Sequence, residues 1–216
     1  HGHSVLMKEM IAFIRVMYPD VKIIAGNVCT NFGAWDVYSW GADCVKVGIA
    51  QGGACSTFGK TGFGLGMVET IQNIYYNKEK KEAEFPIIVD GGIRQNGDFA
   101  KAIVLALQAM KSVMPETDFK YTAQPVMIMA GSLFASCYDS PAEHEISSNS
   151  KIYYGSASSK QKGHNKNVEG FETLIPNNGM SYKQKMIEIE QDLQSSISYA
   201  GGTDLSAFGN VFITVK

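Results

Sequence analysis

The fold is decided by the stretch Val45-Lys46-Val47-Gly48-Ile49-Ala50-Gln51-Gly52-Gly53-Ala54-Cys55-Ser56-Thr57. Its first residues form a short apolar run of the kind that makes a buried strand. The glycine-rich part that follows can turn sharply and bring its backbone close to a ligand. The thiol of Cys55 therefore lies on a loop at the C-terminal end of a predicted strand, where it can act as a nucleophile. The alternative is a buried, unreactive cysteine, which is the usual environment of a free thiol.

The composition is that of one globular domain, because 45% of the 216 residues are hydrophobic and 19% are charged. The formal net charge is -2 and no basic run is long, which argues against binding to nucleic-acid phosphates. No apolar segment is long enough to cross a bilayer, and no signal-peptide pattern occurs. We therefore expect a cytoplasmic protein with neither a nucleic acid nor a membrane as partner. The four cysteines include no C-x-x-C pair, so a disulfide framework is not expected.

Apolar runs at 22–26, 44–49, 86–90 and 125–131 are rich in Val, Ile or Met and predict buried parallel strands. Helical patterns alternate with these runs, so the fold class is α/β with a parallel sheet. Ser4 can cap the first helix, whose predicted inner face consists of Leu6, Met10, Phe13 and Met17. Further helices are predicted over 34–39, beyond Gly66, over 99–110, and from Ser181, which has capping-box spacing to Gln184.

Polar residues and glycines follow each predicted strand. They are Asn27, the Cys55 loop, Asp90-Gly91-Gly92 and Gly131-Ser132. Such residues at the carboxyl ends of successive strands are typical of a TIM barrel, whereas a doubly wound sheet gathers them at one switch point. Because a (β/α)8 barrel has eight strands, we expect residues 1–139 to be the C-terminal βα units of a barrel in a longer polypeptide.

Two further regions follow these units. Residues 140–178 become polar and rich in Ser, Gly, Lys and Asn, which predicts a long mobile excursion over the active face. Such a segment is either a lid or binding loop or a disordered surface insertion. Residues 179–216 are predicted to be a C-terminal helix and tail packed on the barrel, with a possible edge strand at 209–215.

Three pairs of small residues predict a phosphate site, namely Gly91-Gly92, Gly131-Ser132 and Gly155-Ser156. Backbone N–H groups exposed by glycine can form an anion-binding nest, and TIM barrels often bind phosphate after their last two strands. Asp90 beside such a nest could accept hydrogen bonds from a ribose. Alternatively, the glycines only serve tight turns. A nucleotide and a thiol on one face together suggest covalent catalysis at a purine carbon.

Several motifs resemble the IMP dehydrogenase/GMP reductase family. They are Gly26-Asn27-Val28, Cys55-Ser56-Thr57, Lys60-Thr61-Gly62-Phe63-Gly64, Asp90-Gly91-Gly92-Ile93-Arg94 and Met129-Ala130-Gly131-Ser132-Leu133. Later motifs are similar to the GMP reductase branch, in the form found in many Gram-positive bacteria. They are Tyr154-Gly155-Ser156-Ala157-Ser158, Asn167-Val168-Glu169-Gly170 and the run over 192–202.

This resemblance implies a TIM barrel, usually a homotetramer, that reduces GMP to IMP with NADPH and releases ammonia. It implies that Cys55 attacks the guanine carbon bearing the amino group, and that Thr57 and Glu169 relay protons. Glu169 must then reach the Cys55 loop, whereas its sequence position alone suggests a solvated carboxylate.

The resemblance also implies the binding residues. The substrate would be bound by Asp90 at the ribose, by Gly92, Gly131, Ser132 and Tyr154 at the phosphate, and by Gly155 and Ser156 near the purine. NADPH would be bound by Asn27 and Ser158. A monovalent cation such as K+ would be bound by the carbonyls of Ala50, Gly52 and Cys55. Gln51 stands where the family usually has proline, and Gly53 where serine is frequent. The connection over 111–124 also appears longer than in the family.

Two alternatives remain open. An IMP dehydrogenase would oxidise IMP to XMP and hydrolyse its intermediate with an Arg-Tyr pair on a mobile flap. No arginine follows Arg94, and lysine replaces arginine poorly in a fixed geometry, so the reductase is favoured. The second alternative is a truncated, inactive homologue that only binds a nucleotide.

Overall fold

The computed structural model describes residues 2–76, 85–112 and 126–213. Over these residues four strands form a parallel sheet in sequential order. They are β1 (Ile24–Val28), β2 (Cys44–Val47), β3 (Ile87–Asp90) and β4 (Val126–Met129). The α/β prediction is confirmed, with strand ends shifted by up to two residues. Asn27 lies inside β1 rather than after it.

Helices connect these strands and continue after them. They are α1 (Val5–Met17), α2 (Asn31–Ser39), α3 (Thr57–Thr61), α4 (Met67–Ile74), α5 (Gly97–Lys111), α6 (Ser132–Ala135), α7 (Ser159–Lys162) and α8 (Tyr182–Tyr199). The Ser4 cap of α1 and the capping box at Ser181 and Gln184 are confirmed. Helix α2 begins three residues before the prediction, because the Thr30 side chain accepts the Gly33 N–H and caps it earlier.

One face of the parallel sheet packs against helices. Val45, Val47, Ile87 and Val89 are fully buried, in one cluster with residues of α2, α4 and α5. The other face carries apolar side chains that stay largely accessible: Ile24 is 58% exposed, Met127 39% and Met129 48%. The sheet is thus covered on one side only within the described residues.

The predicted inner face of α1 is wrong. Leu6 is 77% exposed and Phe13 58%, and Met10 and Met17 also face solvent, whereas Ile11 is buried. The helix is apolar on two adjacent sides, so periodicity alone could not choose between them. Contacts outside the pattern fix its rotation. Arg15 donates to the carbonyls of Gly41 and Val21, each at 2.8 Å, and forms an ion pair with Asp43.

Residues 140–178, which were expected to form an excursion without regular structure, contain a three-stranded antiparallel sheet. Its strands are β5 (His144–Glu145), β6 (Ser150–Tyr154) and β7 (Glu172–Pro176). The polar composition concealed this sheet. One of its strands carries Lys151, a lysine that is only 4% exposed. Its ammonium donates to three carbonyls, those of Tyr138 at 3.0 Å and of Ser140 and Ala142 at 3.3 Å.

The predicted edge strand at 209–215 is wrong over its described part. Leu205–Asn210 form a 3₁₀ helix, and residues 211–213 have no regular structure. Ala207 and Phe208 are buried there against α5 and α8, which holds the chain in this conformation. The remaining residues, 214 and 215, lie outside the described ranges, as does the long connection over 113–124. In the parts of the chain that the structure describes, no helix combines the length and apolar character needed to cross a membrane.

Asp43 provides a test of the contact between α1 and the sheet. The Ile23 N–H, which donates to the carboxylate at 2.8 Å, and the cations of Arg15 and Lys22 lower its pKa from 3.8 to about 2. A depressed carboxyl pKa adds stability above the unfolded value, and this stability is lost as the pH falls through the folded value. We expect Asp43→Asn to lower the free energy of unfolding by about 1 kcal/mol at pH 7, since the group is partly solvated. The deficit should shrink between about pH 4 and pH 2.

Urea denaturation across this pH range would measure the effect, with Asp20→Asn, a change at an exposed carboxylate, as the control. A deficit that is constant with pH would show that the charge of Asp43 contributes nothing.

Candidate active site

A cavity of about 600 Å³ opens at the carboxyl ends of the parallel strands. Asn27, the loop after β2 and the residues after β3 and β4 line it, together with part of the small antiparallel sheet and Glu169. The polar residues that follow the strands therefore line one cavity. Of the predicted site residues, only Ser158 is absent from the lining.

Cys55 begins a series of hydrogen bonds at this cavity. Its Sγ donates to Thr57 Oγ1 at 3.2 Å, and Thr57 Oγ1 donates to Glu169 Oε2 at 2.9 Å. Thr57 is the first residue of α3, so the loop and the helix start hold the two side chains together. All three are partly buried. The series gives a proton a path from the sulfur through a hydroxyl to a carboxylate.

Glu169 reaches this position because its segment pairs with the Cys55 loop. Cys55 and Gly170 form an antiparallel bridge. The Ser56 N–H donates to the Glu169 carbonyl at 2.8 Å, and the Phe171 N–H donates to the Ala54 carbonyl at 3.0 Å. Glu169 is therefore held by the backbone rather than left as a solvated carboxylate.

Glycines allow the two segments to approach this closely. A Cβ on Gly170 would lie 2.9 Å from Ser158 N and 3.2 Å from the Ala54 carbonyl oxygen. A Cβ on Gly155 would lie 2.8 Å from the same carbonyl oxygen. All three distances are shorter than van der Waals contact, so Gly155 and Gly170 set the spacing between the Cys55 loop and the segment that carries Glu169.

Asp90 lies at the centre of a second polar group. Its Oδ2 is 2.9 Å from Lys46 Nζ and accepts a hydrogen bond from Asn27 Nδ2 at 2.9 Å. Asn27 also donates to the Gly48 carbonyl at 2.7 Å. The sequence reasoning missed Lys46, although a lysine inside an apolar strand was a usable signal. Lys46 and the Asn27 amide hold the Asp90 carboxylate in a fixed position, where it can accept further hydrogen bonds.

Gly91, Gly92, Gly131 and Ser132 line the cavity after β3 and β4, and we call these four residues the cradle. Gly91 and Gly92 have φ values of 100° and 80°, which L side chains rarely adopt. A side chain at Gly131 would collide with the hydroxyl of Tyr153. Burial, followed by the charge of Asp90, raises the pKa of Tyr153, so its hydroxyl stays protonated and can donate.

The adjacent tyrosines differ in their surroundings. Side chains alternate along a strand, so Tyr153 and Tyr154 point to opposite sides of β6. Tyr153 lies at the cradle, whereas the Tyr154 ring lies 5.0 Å from Lys160 Nζ. Both tyrosines line the cavity, and Tyr153, which the sequence did not single out, is the one whose hydroxyl lies next to Gly131. The role of Tyr154 at the phosphate stays a prediction.

The remaining predicted residues have other partners. Ser158 is 1% exposed, and its hydroxyl accepts the Gln161 N–H as the N-cap of α7. The Gly52 carbonyl accepts the Cys55 N–H at 3.1 Å within the loop that was predicted to hold a cation. Gln51, which stands where proline is usual in the family, donates to the Leu65 carbonyl at 2.7 Å and braces the loop with its side chain.

Comparisons with known proteins place the chain in a family. Residues 1–117 match the model of the IMP dehydrogenase / GMP reductase domain. The chain therefore belongs to the IMP dehydrogenase/GMP reductase family, as its motifs suggested.

Three bacterial relatives that are named GMP reductase are similar over the whole chain. The protein of Bacillus subtilis is 44% identical over 220 residues, that of Streptococcus pyogenes 41% over 219, and that of Helicobacter pylori 43% over 219. The chain spans 60% of the length of the first two relatives and 61% of the third.

The close approach at Gly170 can be tested directly. We expect Gly170→Ala to push the Glu169 segment away from the Cys55 loop, which should lower the thermal midpoint and expose the thiol. The rate at which iodoacetamide alkylates Cys55, followed by peptide mass spectrometry, should rise several-fold.

Gly59→Ala is the matched control, because no atom lies within 4 Å of a Cβ built on this helical glycine. Alanine in a helix should stabilise the control slightly or leave it unchanged. Equal behaviour of the two variants would contradict the steric role of Gly170.

Proposed function

We propose that this chain is part of a GMP reductase, which converts GMP to IMP with NADPH as the hydride donor. The observation that carries this proposal is the hydrogen-bonded series Cys55, Thr57 and Glu169 at the cavity. The names of the relatives support the same reaction.

The reaction requires a nucleophile beside the guanine ring. The Cys55 sulfur forms a bond to the ring carbon that bears the amino group, and the bond from this carbon to nitrogen breaks as ammonia departs. A hydride supplied by bound NADPH then adds to this carbon, and the carbon–sulfur bond breaks to regenerate the thiolate. Overall, GMP, NADPH and two protons give IMP, NADP⁺ and ammonium.

Thr57 and Glu169 handle the proton in this scheme. The carboxylate receives a proton from the thiol through the Thr57 hydroxyl, which activates the sulfur. The same carboxyl group then gives a proton to the departing amine, so it acts first as base and then as acid. The distances of 3.2 Å and 2.9 Å along the series support this relay.

The nucleotide is held on either side of the reacting carbon. Asp90, braced by Lys46 and Asn27, accepts hydrogen bonds from the ribose hydroxyls. Gly92, Gly131 and Ser132 of the cradle bind the phosphate with backbone N–H groups, and the Tyr153 hydroxyl adds a donor. Roles for Tyr154, Gly155 and Ser156 at the nucleotide, for Asn27 and Ser158 at NADPH, and for K+ at Ala50, Gly52 and Cys55 remain predictions from the resemblance.

The barrel is also part of the proposal. Within residues 2–76, 85–112 and 126–213, β1 and β4 are the edge strands of a parallel sheet whose second face exposes Ile24, Met127 and Met129. Closing the sheet into a (β/α)8 barrel would pair both edges and bury this face. Residues 1–139 would supply the C-terminal βα units, 140–178 the cover of the active face, and 179–216 the packing tail. The homotetramer and the cytoplasmic location likewise follow from the resemblance and the composition.

Replacing the nucleophile tests the reaction. We expect Cys55→Ala to slow the oxidation of NADPH in the presence of GMP by about a thousandfold or more, while GMP binding measured by calorimetry persists. Cys29→Ala is the control, since this free thiol does not line the cavity. Undiminished turnover by Cys55→Ala would contradict the proposal. NADH formation from IMP and NAD⁺ would favour the dehydrogenase, and GMP binding without any turnover by the wild type would favour an inactive homologue.

The phosphate cradle yields a second test. Loss of a hydrogen bond to a charged group costs about 1.5–3 kcal/mol, so Tyr153→Phe should raise the Kd for GMP roughly tenfold or more. The Kd for guanosine, which has no phosphate, should not change. If Tyr154→Phe produces this effect instead, the assignment from the sequence is right and the one from the geometry is wrong.

A further inference from the structure

Lys60 makes a contact that the proposed reaction does not explain. It lies in α3, three residues after Thr57, and its side chain is exposed. Its Nζ donates to the Val168 carbonyl at 2.6 Å. An exposed lysine of α3 is thus bonded to a residue 108 positions later, immediately before Glu169.

Both peptide groups that flank Glu169 form hydrogen bonds through their carbonyl and through their N–H. The carbonyl of the peptide group between Val168 and Glu169 accepts a hydrogen bond from Lys60 Nζ, and its N–H donates to the Ala157 carbonyl at 3.1 Å. The group between Glu169 and Gly170 accepts the Ser56 N–H at 2.8 Å and donates to the Ala157 carbonyl at 3.2 Å. Fixing both peptide planes fixes the direction in which the Glu169 side chain leaves the backbone.

Of the three residues that bond to these two peptide groups, Lys60 does so with its side chain, whereas Ser56 and Ala157 do so with backbone groups. It projects from the same short helix that carries Thr57, the hydroxyl that Glu169 must meet. A hydrogen bond from an ammonium to a carbonyl is charge-assisted and stronger than a neutral one. Helix α3 therefore carries Thr57, which donates to Glu169, and through Lys60 it also holds the backbone next to Glu169.

We propose that Lys60 is a positioning residue that aims the Glu169 carboxylate at Thr57. This role rests on the proposed function, because it matters for catalysis only if Glu169 handles the proton. Lys60 itself touches neither the nucleotide nor the sulfur in this scheme.

Lys60→Met keeps most of the side-chain volume and removes the ammonium. We expect kcat with GMP and NADPH to fall roughly 10- to 100-fold, as misplaced catalytic groups do, while the KM for GMP changes less than about threefold. Lys60→Arg should restore much of the rate. Because Lys60 acts through Glu169, adding Lys60→Met to Glu169→Gln should slow the enzyme little further.

Lys162→Met is the matched control. Lys162 is also exposed, and it also donates to a carbonyl at 2.6 Å, that of Asn167, the residue next to Val168. Its bond stays within the α7 segment and does not reach α3. We expect kcat of Lys162→Met to stay within about twofold of the wild type.

Hydrogen exchange separates this inference from the proposed function, because it needs no turnover. In Lys60→Met the amides of Ser56, Glu169 and Gly170 should exchange faster, and in Lys162→Met they should not. The positioning role would be overturned if amide exchange or kcat were unchanged in Lys60→Met. It would also be overturned if the losses of kcat caused by Lys60→Met and Glu169→Gln multiplied in the double variant. A wild type that does not reduce GMP would refute the proposed function, and the exchange data would still decide whether Lys60 holds this segment.

Discussion

The antiparallel contact between the Cys55 loop and the segment around Gly170 is the constraint on which the site depends. It joins the loop after β2 to the segment before β7, two parts of the chain that lie more than 100 positions apart. Glycines at 155 and 170 permit the approach, and backbone hydrogen bonds on both sides of Glu169 fix it. Without this pairing the Cys55 loop could still form, but the Glu169 carboxylate would not lie within hydrogen-bond distance of the Thr57 hydroxyl.

The parallel sheet supplies the other half of the arrangement. Because all four strands run in one direction, the residues that end them meet at one edge. Asp90 and Asn27 come from β3 and β1, and Lys46 lies on β2 between them. Asn27, Lys46 and Asp90, which are proposed to hold the ribose, are therefore placed by strands. The proposed proton relay is placed by a loop, a five-residue helix and a crossing segment.

The sequence revealed the parallel strands because each contains a short apolar run next to glycine or polar residues, and it revealed the caps at Ser4 and Ser181 because their hydrogen bonds are local. It could not orient α1, which has apolar residues on two sides and whose rotation depends on the distant groups bound by Arg15. The small sheet was missed because its strands mix polar with apolar residues and lie in a segment of polar composition. Glu169 was found only through a motif, since no local pattern connects residue 169 with residue 57.

Tyr153 was not singled out from the sequence, because strand register is a property of pairing and not of composition. Lys46 and Lys151 were overlooked because lysine is ordinarily a surface residue. Lys46 binds a carboxylate at the cavity, and Lys151 binds three carbonyls of the turn that follows α6.

Lys151 has a consequence for how a ligand is received. Its ammonium fastens β6 to the turn that follows α6, and Tyr153, two residues further along the strand, lies against Gly131 at the start of that helix. A phosphate would meet a surface that is already assembled and would lose little affinity to the entropy of ordering it.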